Sequence, residues 1–139
     1  MFDRSIIENV RFGRLKALDE EVIKVYDVVG LHDGIMKLPE KYEARVGEGG
    51  IRLSGGQCQR IGIARVMLKR LKLLVLNEPT LAIDSRTEIR ILKAFRNLCR
   101  GHTTLMITHR LSTIKDADLI LVLYNGSIVE RGNYAELLE

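Results

Sequence analysis

Three groups of polar residues in this sequence have the types and spacing to act on a phosphate. The first is Ser54-Gly55-Gly56-Gln57, which directly precedes a segment with helical periodicity. Ser54 and Gln57 have the spacing of a capping box, and the two glycines allow an anion to approach the amides at a helix start. From these residues alone, a phosphate-contacting loop and an ordinary glycine-rich helix cap are equally good interpretations.

The second group is Asn77-Glu78, at the end of the apolar run Leu73–Leu76. A carboxylate that follows a buried strand can hold Mg²⁺ or orient a water molecule for phosphoryl transfer. An acid exposed at a strand exit is also common, so this pair by itself is a weak signal.

The third group is Thr108-His109, which follows an apolar run that ends at Ile107. An imidazole in this position could contact a transferring phosphate. A histidine with a purely structural hydrogen bond is the alternative interpretation, and we apply it to His32 and His102.

Alternating helix and strand patterns must position these groups. The sequence predicts helices over 57–70, 85–100 and 111–114, and strands over 71–76, 103–108, 119–123 and 127–131. The strand, helix and strand over 71–108 predict a parallel pair with a right-handed crossover. Because ligands of such sheets bind beyond the carboxyl ends of the strands, Glu78 and His109 fall at the same edge. Asn125-Gly126 predicts a tight hairpin turn between the last two strands.

The first fifty residues have a helical and irregular pattern. We expect Asp19 to cap a helix that runs to Val29 and stops at Gly30, and a second short helix over 32–38. The stretch Val46–Gly50 is too rich in glycine to be regular. The final residues, 134–139, predict the start of a helix.

Length and composition set limits on the class of protein. The 139 residues are the size of one domain, and 46% hydrophobic with 29% charged residues excludes a disordered chain. No apolar run is long enough to span a bilayer, and the N-terminus lacks the pattern of a signal peptide. The net charge of +4 is scattered and aromatics are 5%, so we expect no nucleic-acid partner. The two cysteines have no spacing typical of a disulfide or a metal site.

Taken together, the motifs resemble those of the nucleotide-binding domain of ABC transporters, and of the exporter type in particular. Leu53–Arg60 resembles the signature motif, and Leu73–Glu78 resembles Walker B with the catalytic glutamate. Leu81–Asp84 is similar to the D-loop, His109 to the switch histidine, and Val46–Gly50 to the X-loop. The resemblance covers essentially the whole chain.

This resemblance implies an α/β fold, a P-loop NTPase-like ABC ATPase fragment. A helical, signature-bearing subdomain over 1–70 would precede the C-terminal part of the ATPase core over 71–139, with part of the parallel sheet and a β-hairpin. It also implies roles for individual residues. The γ-phosphate of ATP bound mainly by the opposite subunit would be contacted by Ser54, Gly55, Gly56 and Gln57. Glu78 would polarise the attacking water, and His109 would stabilise the γ-phosphate. Asp84 would align the two subunits, and the transmembrane coupling helices would be faced by Gly47, Glu48 and Gly49.

Three departures from the family pattern bear on activity. Asn77 stands where the Walker B aspartate is expected, so we expect weakened Mg²⁺ binding. Leu81 replaces the usual serine of the D-loop. A P-loop, G-x-x-x-x-G-K-[ST], is absent from the 139 residues. The chain therefore looks like the C-terminal part of the domain, and we expect it to be inactive alone.

The resemblance also implies cofactors, partners and location. ATP and Mg²⁺ would bind mainly with a partner that contains a P-loop. The partners would be an ABC transmembrane domain and a second nucleotide-binding domain in a head-to-tail dimer. The chain would lie on the cytoplasmic side of the plasma membrane through that partner, or be soluble as a separate fragment. Transmembrane segments select the transported substrate, so the sequence does not name it.

Two alternatives to an exporter ATPase remain open at this stage. The chain could be a non-catalytic interaction module or a decayed fragment. It could also be the C-terminal half of a DNA-repair ABC ATPase, although residues 1–50 show none of the sustained heptads of a coiled coil.

Overall fold

A computed structural model describes residues 1–69, 71–80, 83–99, 101 and 103–138. The helices are α1 (Ile6–Arg11), α2 (Asp19–Val28), α3 (His32–Met36), α4 (Gly55–Leu68), α5 (Ser85–Cys99) and α6 (Leu111–Ile114). The strands are β1 (Arg4–Ser5), β2 (Arg45–Val46), β3 (Leu73–Asn77), β4 (Thr103–Ile107), β5 (Ile120–Tyr124) and β6 (Ser127–Gly132). Short 3₁₀ turns cover Lys41–Glu43 and Glu136–Leu138. None of the described helices is long and apolar enough to span a membrane.

The described chain forms two compact units. The first comprises Met1–Val75 and Pro79–Leu105, and the second comprises Leu76–Glu78 and Met106–Glu139. In the first unit α4 packs against α1, α2 and α5. The core between these helices is made of fully buried side chains, among them Val10, Val22, Tyr26, Ile61 and Ala64.

Two polar side chains of the helical core, the buried Tyr26 and the half-buried Arg65, are tied to the backbone of α1. The Tyr26 hydroxyl donates to the carbonyl of Ile6 at 2.5 Å, and burial raises the pKa of this phenol well above its ordinary value. Arg65 donates from Nε to the Asn9 carbonyl at 2.6 Å and from its terminal nitrogen to the Asn9 side chain at 2.8 Å. These bonds tie α1 to α4, because a buried donor without an acceptor would cost free energy.

The predicted strand pairs are confirmed. The amide of Thr103 donates to Lys72 at 3.3 Å, and the amide of Glu78 donates to Ile107 at 2.9 Å. These bonds join the starts of β3 and β4 to each other and their ends to each other, so the two strands are parallel. β5 and β6 are antiparallel, with a register shift between Val122 and Leu123.

Glycines and one asparagine end the predicted elements. Asn125 (φ +49°) and Gly126 (φ +78°) form the predicted hairpin turn, in which both central residues have positive φ. Gly30 (φ +67°) ends α2, as its left-handed backbone requires. Some predicted features lie outside the described residues. They are the helix termini expected at Arg70 and Arg100, the D-loop residues Leu81 and Ala82, and the residues His102 and Glu139.

Two local features differ from the sequence-based expectation. Asp19 is not the cap of α2 but its first residue, where it pairs with Arg11. The carboxylate of Glu21 accepts from the amide of Leu18 at 2.9 Å instead. The antiparallel pair of β1 and β2 was not predicted, because two-residue strands some forty residues apart leave no periodic signal.

The backbone at Gly13, just after α1 ends, lies close to the backbone of α4. A Cβ atom built on Gly13 would lie 2.3 Å from the carbonyl oxygen of Arg65 on α4. We therefore expect Gly13→Ala to lower the free energy of unfolding by about 1–3 kcal/mol, measured by urea denaturation, because the two helices must separate. Gly34→Ala is the matched control, since nothing lies within 4 Å of a Cβ at Gly34. Equal stabilities of the two variants would contradict this packing.

Candidate functional site

The start of α4 carries the capping box that its sequence predicts. The Ser54 amide donates to Oε1 of Gln57 at 2.8 Å, and the Gln57 amide donates back to the Ser54 hydroxyl oxygen at 3.2 Å. Only acceptor oxygens of the two side chains are used. The Ser54 hydroxyl hydrogen, the Gln57 side-chain NH₂ and the amides of Gly55 and Gly56 can therefore still donate to an anion.

Glycine at position 55 is not required by the packing of the described chain. A Cβ at Gly55 would meet no atom within 4 Å, and its φ is not positive. Glycine in a helix is less favourable than alanine by about 1 kcal/mol. An exposed glycine at a helix start, with no internal reason for it, fits the close approach of a ligand from outside the chain.

The segment Val46–Gly50 is shaped by contacts with its own unit. A Cβ atom built on Gly47 (φ +121°) would lie 3.0 Å from the Cα atom of Asp3. One built on Gly50 would lie 2.5 Å from the carbonyl oxygen of Arg45. Glu48 and Gly49 are exposed, and Gly49 also has a positive φ of +85°. The glycines thus hold a tight loop that presents Glu48 outward.

Glu78 and His109 are brought together in the second unit. Nδ1 of His109 lies 2.7 Å from Oε1 of Glu78, and the backbone amide of His109 donates to the same oxygen at 3.1 Å. The Glu78 side chain is 26% exposed and that of His109 is 69% exposed. The sequence placed both residues at one sheet edge, and the structure shows a direct bond between them.

The pairing fixes the protonation pattern of the imidazole. An ionised carboxylate can only accept, so Nδ1 of His109 must carry a hydrogen, and in the neutral ring Nε2 is then an acceptor. A phosphate oxygen also only accepts. His109 can therefore donate to a phosphate through Nε2 only as an imidazolium.

Glu78 also has an unusual backbone. Its φ of +44° lies in the left-handed region, which non-glycine residues rarely adopt. Such conformations persist where the surrounding structure enforces them, and they concentrate at functional sites.

The residues near Glu78 are poorly suited to hold Mg²⁺. The exposed Asn77 offers a neutral amide where a carboxylate would supply charge. Oε1 of Glu78 already accepts two hydrogen bonds from His109. Among the described residues no group of three acidic, histidine or cysteine side chains could hold a metal ion.

Asp84, expected in the D-loop, caps helix α5. Its carboxylate accepts from the backbone amide of Thr87 at 3.0 Å, and its carbonyl accepts from the amide of Glu88. Hydrogen bonds from the Thr87 amide and hydroxyl hold the pKa of Asp84 below its ordinary value, and Arg60 adds to the effect. This structural role was not apparent from the D-loop resemblance, although Asp84 and Thr87 have the spacing of an N-cap.

His32 has the structural hydrogen bond expected for it. Its Nδ1 lies 2.7 Å from the hydroxyl of Tyr42 in the helical core. The candidate residues thus fall into two sets: Ser54–Gln57 and Asp84 belong to the first compact unit, while Asn77, Glu78 and His109 belong to the second.

Comparison with known proteins identifies relatives of the chain. The sequence profile of the family described as ABC transporter matches residues 2–81, more than half of the chain. The chain is 50% identical over 100% of its length to "ABC transporter ATM1" of Toxoplasma gondii and 49% identical over 99% to "Heavy metal tolerance factor 1" of Caenorhabditis elegans. It spans 12% and 17% of the lengths of these two proteins.

A solved structure shares the fold. "Structure of a bacterial Atm1-family ABC exporter with ATP bound" matches 99% of the chain with a TM-score of 0.84 and 42% identity. The match covers 24% of that solved chain.

The imidazole of His109 gives a first test of the Glu78 contact. In ¹⁵N NMR spectra at about pH 8, we expect the Nδ1–H tautomer, because the carboxylate requires a donor at that atom. Glu78→Ala should shift the population toward Nε2–H. His32 serves as an internal control, since its partner is Tyr42. An Nε2–H form of His109 in the unmutated protein would contradict the pairing.

The cap at Asp84 gives a pH dependence of stability. Because its folded pKa is lowered, the ionised group adds stability above its unfolded pKa of about 3.9, and this contribution is lost as the pH falls. Asp84→Asn keeps the capping oxygen but does not titrate. We expect the difference in unfolding free energy between wild type and Asp84→Asn to be constant from about pH 6 to 8 and to shrink below about pH 5. A difference independent of pH would show that Asp84 is not ionised in the cap.

Proposed function

The chain belongs to the ABC transporter family, and on this basis we propose that it is part of a nucleotide-binding domain of an ABC exporter. In this role the start of α4 completes an ATP site that is formed mainly by an opposing subunit. Glu78 and His109 supply the catalytic pair for a second site, which needs a P-loop to be complete. The observation that supports the proposal most strongly is the set of outward donors at the start of α4.

Recognition of ATP by the signature motif rests on donors and space. The Ser54 hydroxyl, the amides of Gly55 and Gly56 and the Gln57 side chain are all donors, as a phosphate requires. The positive end of the helix dipole adds a favourable potential. Gly55 has no neighbour that would restrict the approach of a phosphate from outside the chain. These features favour the phosphate-contacting interpretation, with the cap as its scaffold.

Hydrolysis would use Glu78 and His109 as one unit. Both described bonds from His109 end on Oε1 of Glu78, so Oε2 is the oxygen available to a water molecule. Glu78 would orient and polarise this water for attack on the γ-phosphate. His109, in its imidazolium form, would donate from Nε2 to the γ-phosphate and neutralise part of its charge.

The residues of this chain near Glu78 would bind Mg²⁺ only weakly. The neutral Asn77 amide and the already bonded Glu78 carboxylate do not make a magnesium ligand set. Any Mg²⁺ would have to be held mainly by the triphosphate and by the subunit that contributes the P-loop.

The partners follow from the incomplete site and from the size of the relatives. The chain spans 12 to 24% of the proteins described above, so transport and its membrane segments belong to longer molecules. We propose a transmembrane domain that contacts the loop at Gly47, Glu48 and Gly49, and a second nucleotide-binding domain that receives Ser54–Gln57. The chain would then act at a membrane through these partners.

A non-catalytic interaction module is the second candidate function. Asn77, a neutral amide where the resemblance implies the Walker B aspartate, favours it. In that case the chain presents Ser54–Gln57 to the ATP of a partner, and Glu78 serves no reaction.

Association with a P-loop-bearing partner tests the proposal. The partner is the nucleotide-binding domain of the bacterial Atm1-family exporter that shares the fold, loaded with a non-hydrolysable ATP analogue. We expect nucleotide-dependent binding, measured by analytical ultracentrifugation. Gly55→Glu should weaken binding by at least about tenfold, because a carboxylate would face the γ-phosphate.

Gly62→Glu is the matched control for this substitution. It adds the same charge to the same helix at a position where a Cβ also meets no atom within 4 Å, so binding should be unchanged. Equal weakening by both substitutions, or no association at saturating nucleotide, would refute the role of the signature motif. ATP turnover by the 139 residues alone would refute the need for a P-loop partner.

A further inference from the structure

The two residues that follow Glu78 in the chain are held by two different helices. Pro79 is buried, and its carbonyl accepts from Nε2 of Gln59 on α4 at 3.2 Å. Thr80 is 2% exposed, and its hydroxyl donates to Oε1 of Glu88 on α5 at 2.7 Å. The turn after Glu78 is therefore fixed from α4 and from α5, within the first compact unit.

This turn requires outside support. Glu78 has a left-handed backbone without the freedom of glycine, and such a conformation persists only where neighbouring structure enforces it. Pro79 has no amide hydrogen, so this residue can be tied to its surroundings only through its carbonyl. The carbonyl needs a donor, and Gln59 supplies it.

We propose that Gln59 and Thr80 are positioning residues for Glu78, with Glu88 as the acceptor that fixes Thr80. By holding Pro79 and Thr80, they keep the peptide after Glu78 in the orientation that its positive φ demands. The inference deepens the proposed function, since it matters for catalysis only if Glu78 is the catalytic carboxylate. Gln59 lies on α4, the helix that begins with the signature motif, so its bond to Pro79 joins this helix directly to the segment that follows Glu78.

Side chains without a hydrogen-bond donor would not meet the requirement at either position. Methionine has nearly the length of Gln59 but no donor, and it would leave the buried Pro79 carbonyl without its partner. Valine has the shape of Thr80 but no hydroxyl, and it would leave the Glu88 oxygen without this bond. Serine at position 80 keeps the hydroxyl, and lysine at position 59 keeps a donor.

Hydrogen exchange of the Glu78 amide tests the proposal in the chain as it exists. This amide donates to Ile107 at 2.9 Å, so its exchange reports opening of the backbone at Glu78. We expect about tenfold faster exchange in Gln59→Met and in Thr80→Val, and a change in the ¹⁵N shifts of His109 as the carboxylate moves. The amide of Val22, which donates to the carbonyl of Leu18 at the start of α2, should exchange as in the wild type and so reports an intact fold.

Rescue separates positioning from general stability. Gln59→Lys and Thr80→Ser should restore slow exchange at Glu78 and the wild-type shifts of His109. Unchanged exchange and shifts in both Gln59→Met and Thr80→Val would overturn the proposal. So would equal acceleration at Val22 and Glu78, since that would indicate global loosening. Neither measurement uses ATP. A failure of nucleotide-dependent association would therefore count against the proposed function, while the exchange rates and the His109 shifts would still test the positioning of Glu78.

Discussion

The structure of the first compact unit depends on one constraint, which is that α4 must be buried along its length and exposed at its beginning. Ile61 and Ala64 are fully buried against neighbouring helices, while Gly55 at the start is exposed. Burial of the apolar face contributes most of the helix's stability, because isolated helices of this length are marginal in water. The packing of the body therefore decides where the donors of the first turn point, although those donors have no packing role themselves.

Polar contacts then set the orientation of α4 more finely than apolar burial can. Arg60 donates to the carbonyl of Gly30 at 3.1 Å, where α2 ends, and Arg65 donates to Asn9 after α1 begins. Carbonyls at a helix end have no partner within the helix, so a guanidinium from a neighbour satisfies them and matches the helix dipole. Partial burial lowers the pKa of Arg65, and its two bonds to Asn9 compensate for that loss of hydration.

The elements with local signals were predicted well from the sequence, and those without were not. The helix at α4, the β3–α5–β4 unit and the hairpin at Asn125-Gly126 follow from periodicity, capping spacing and turn chemistry. The prediction that Asp19 caps α2 was wrong. An acid at a helix start can serve equally as cap or as first residue, and the choice depended on Arg11. The pairing of β1 with β2 joins two short segments that carry no pattern.

The sequence by itself determined the family motifs, the capping box of Ser54 and Gln57 and the lack of a P-loop motif within the 139 residues, because each depends on residues a few positions apart. Only the tertiary structure decided that Glu78 bonds to His109, thirty-one residues away, and that Gln59 holds the turn after Glu78. Such contacts arise where separate elements pack and the chain closes on itself. Their geometry depends on the register and backbone angles of several elements at once, including the positive φ of Glu78, which residue spacing does not specify.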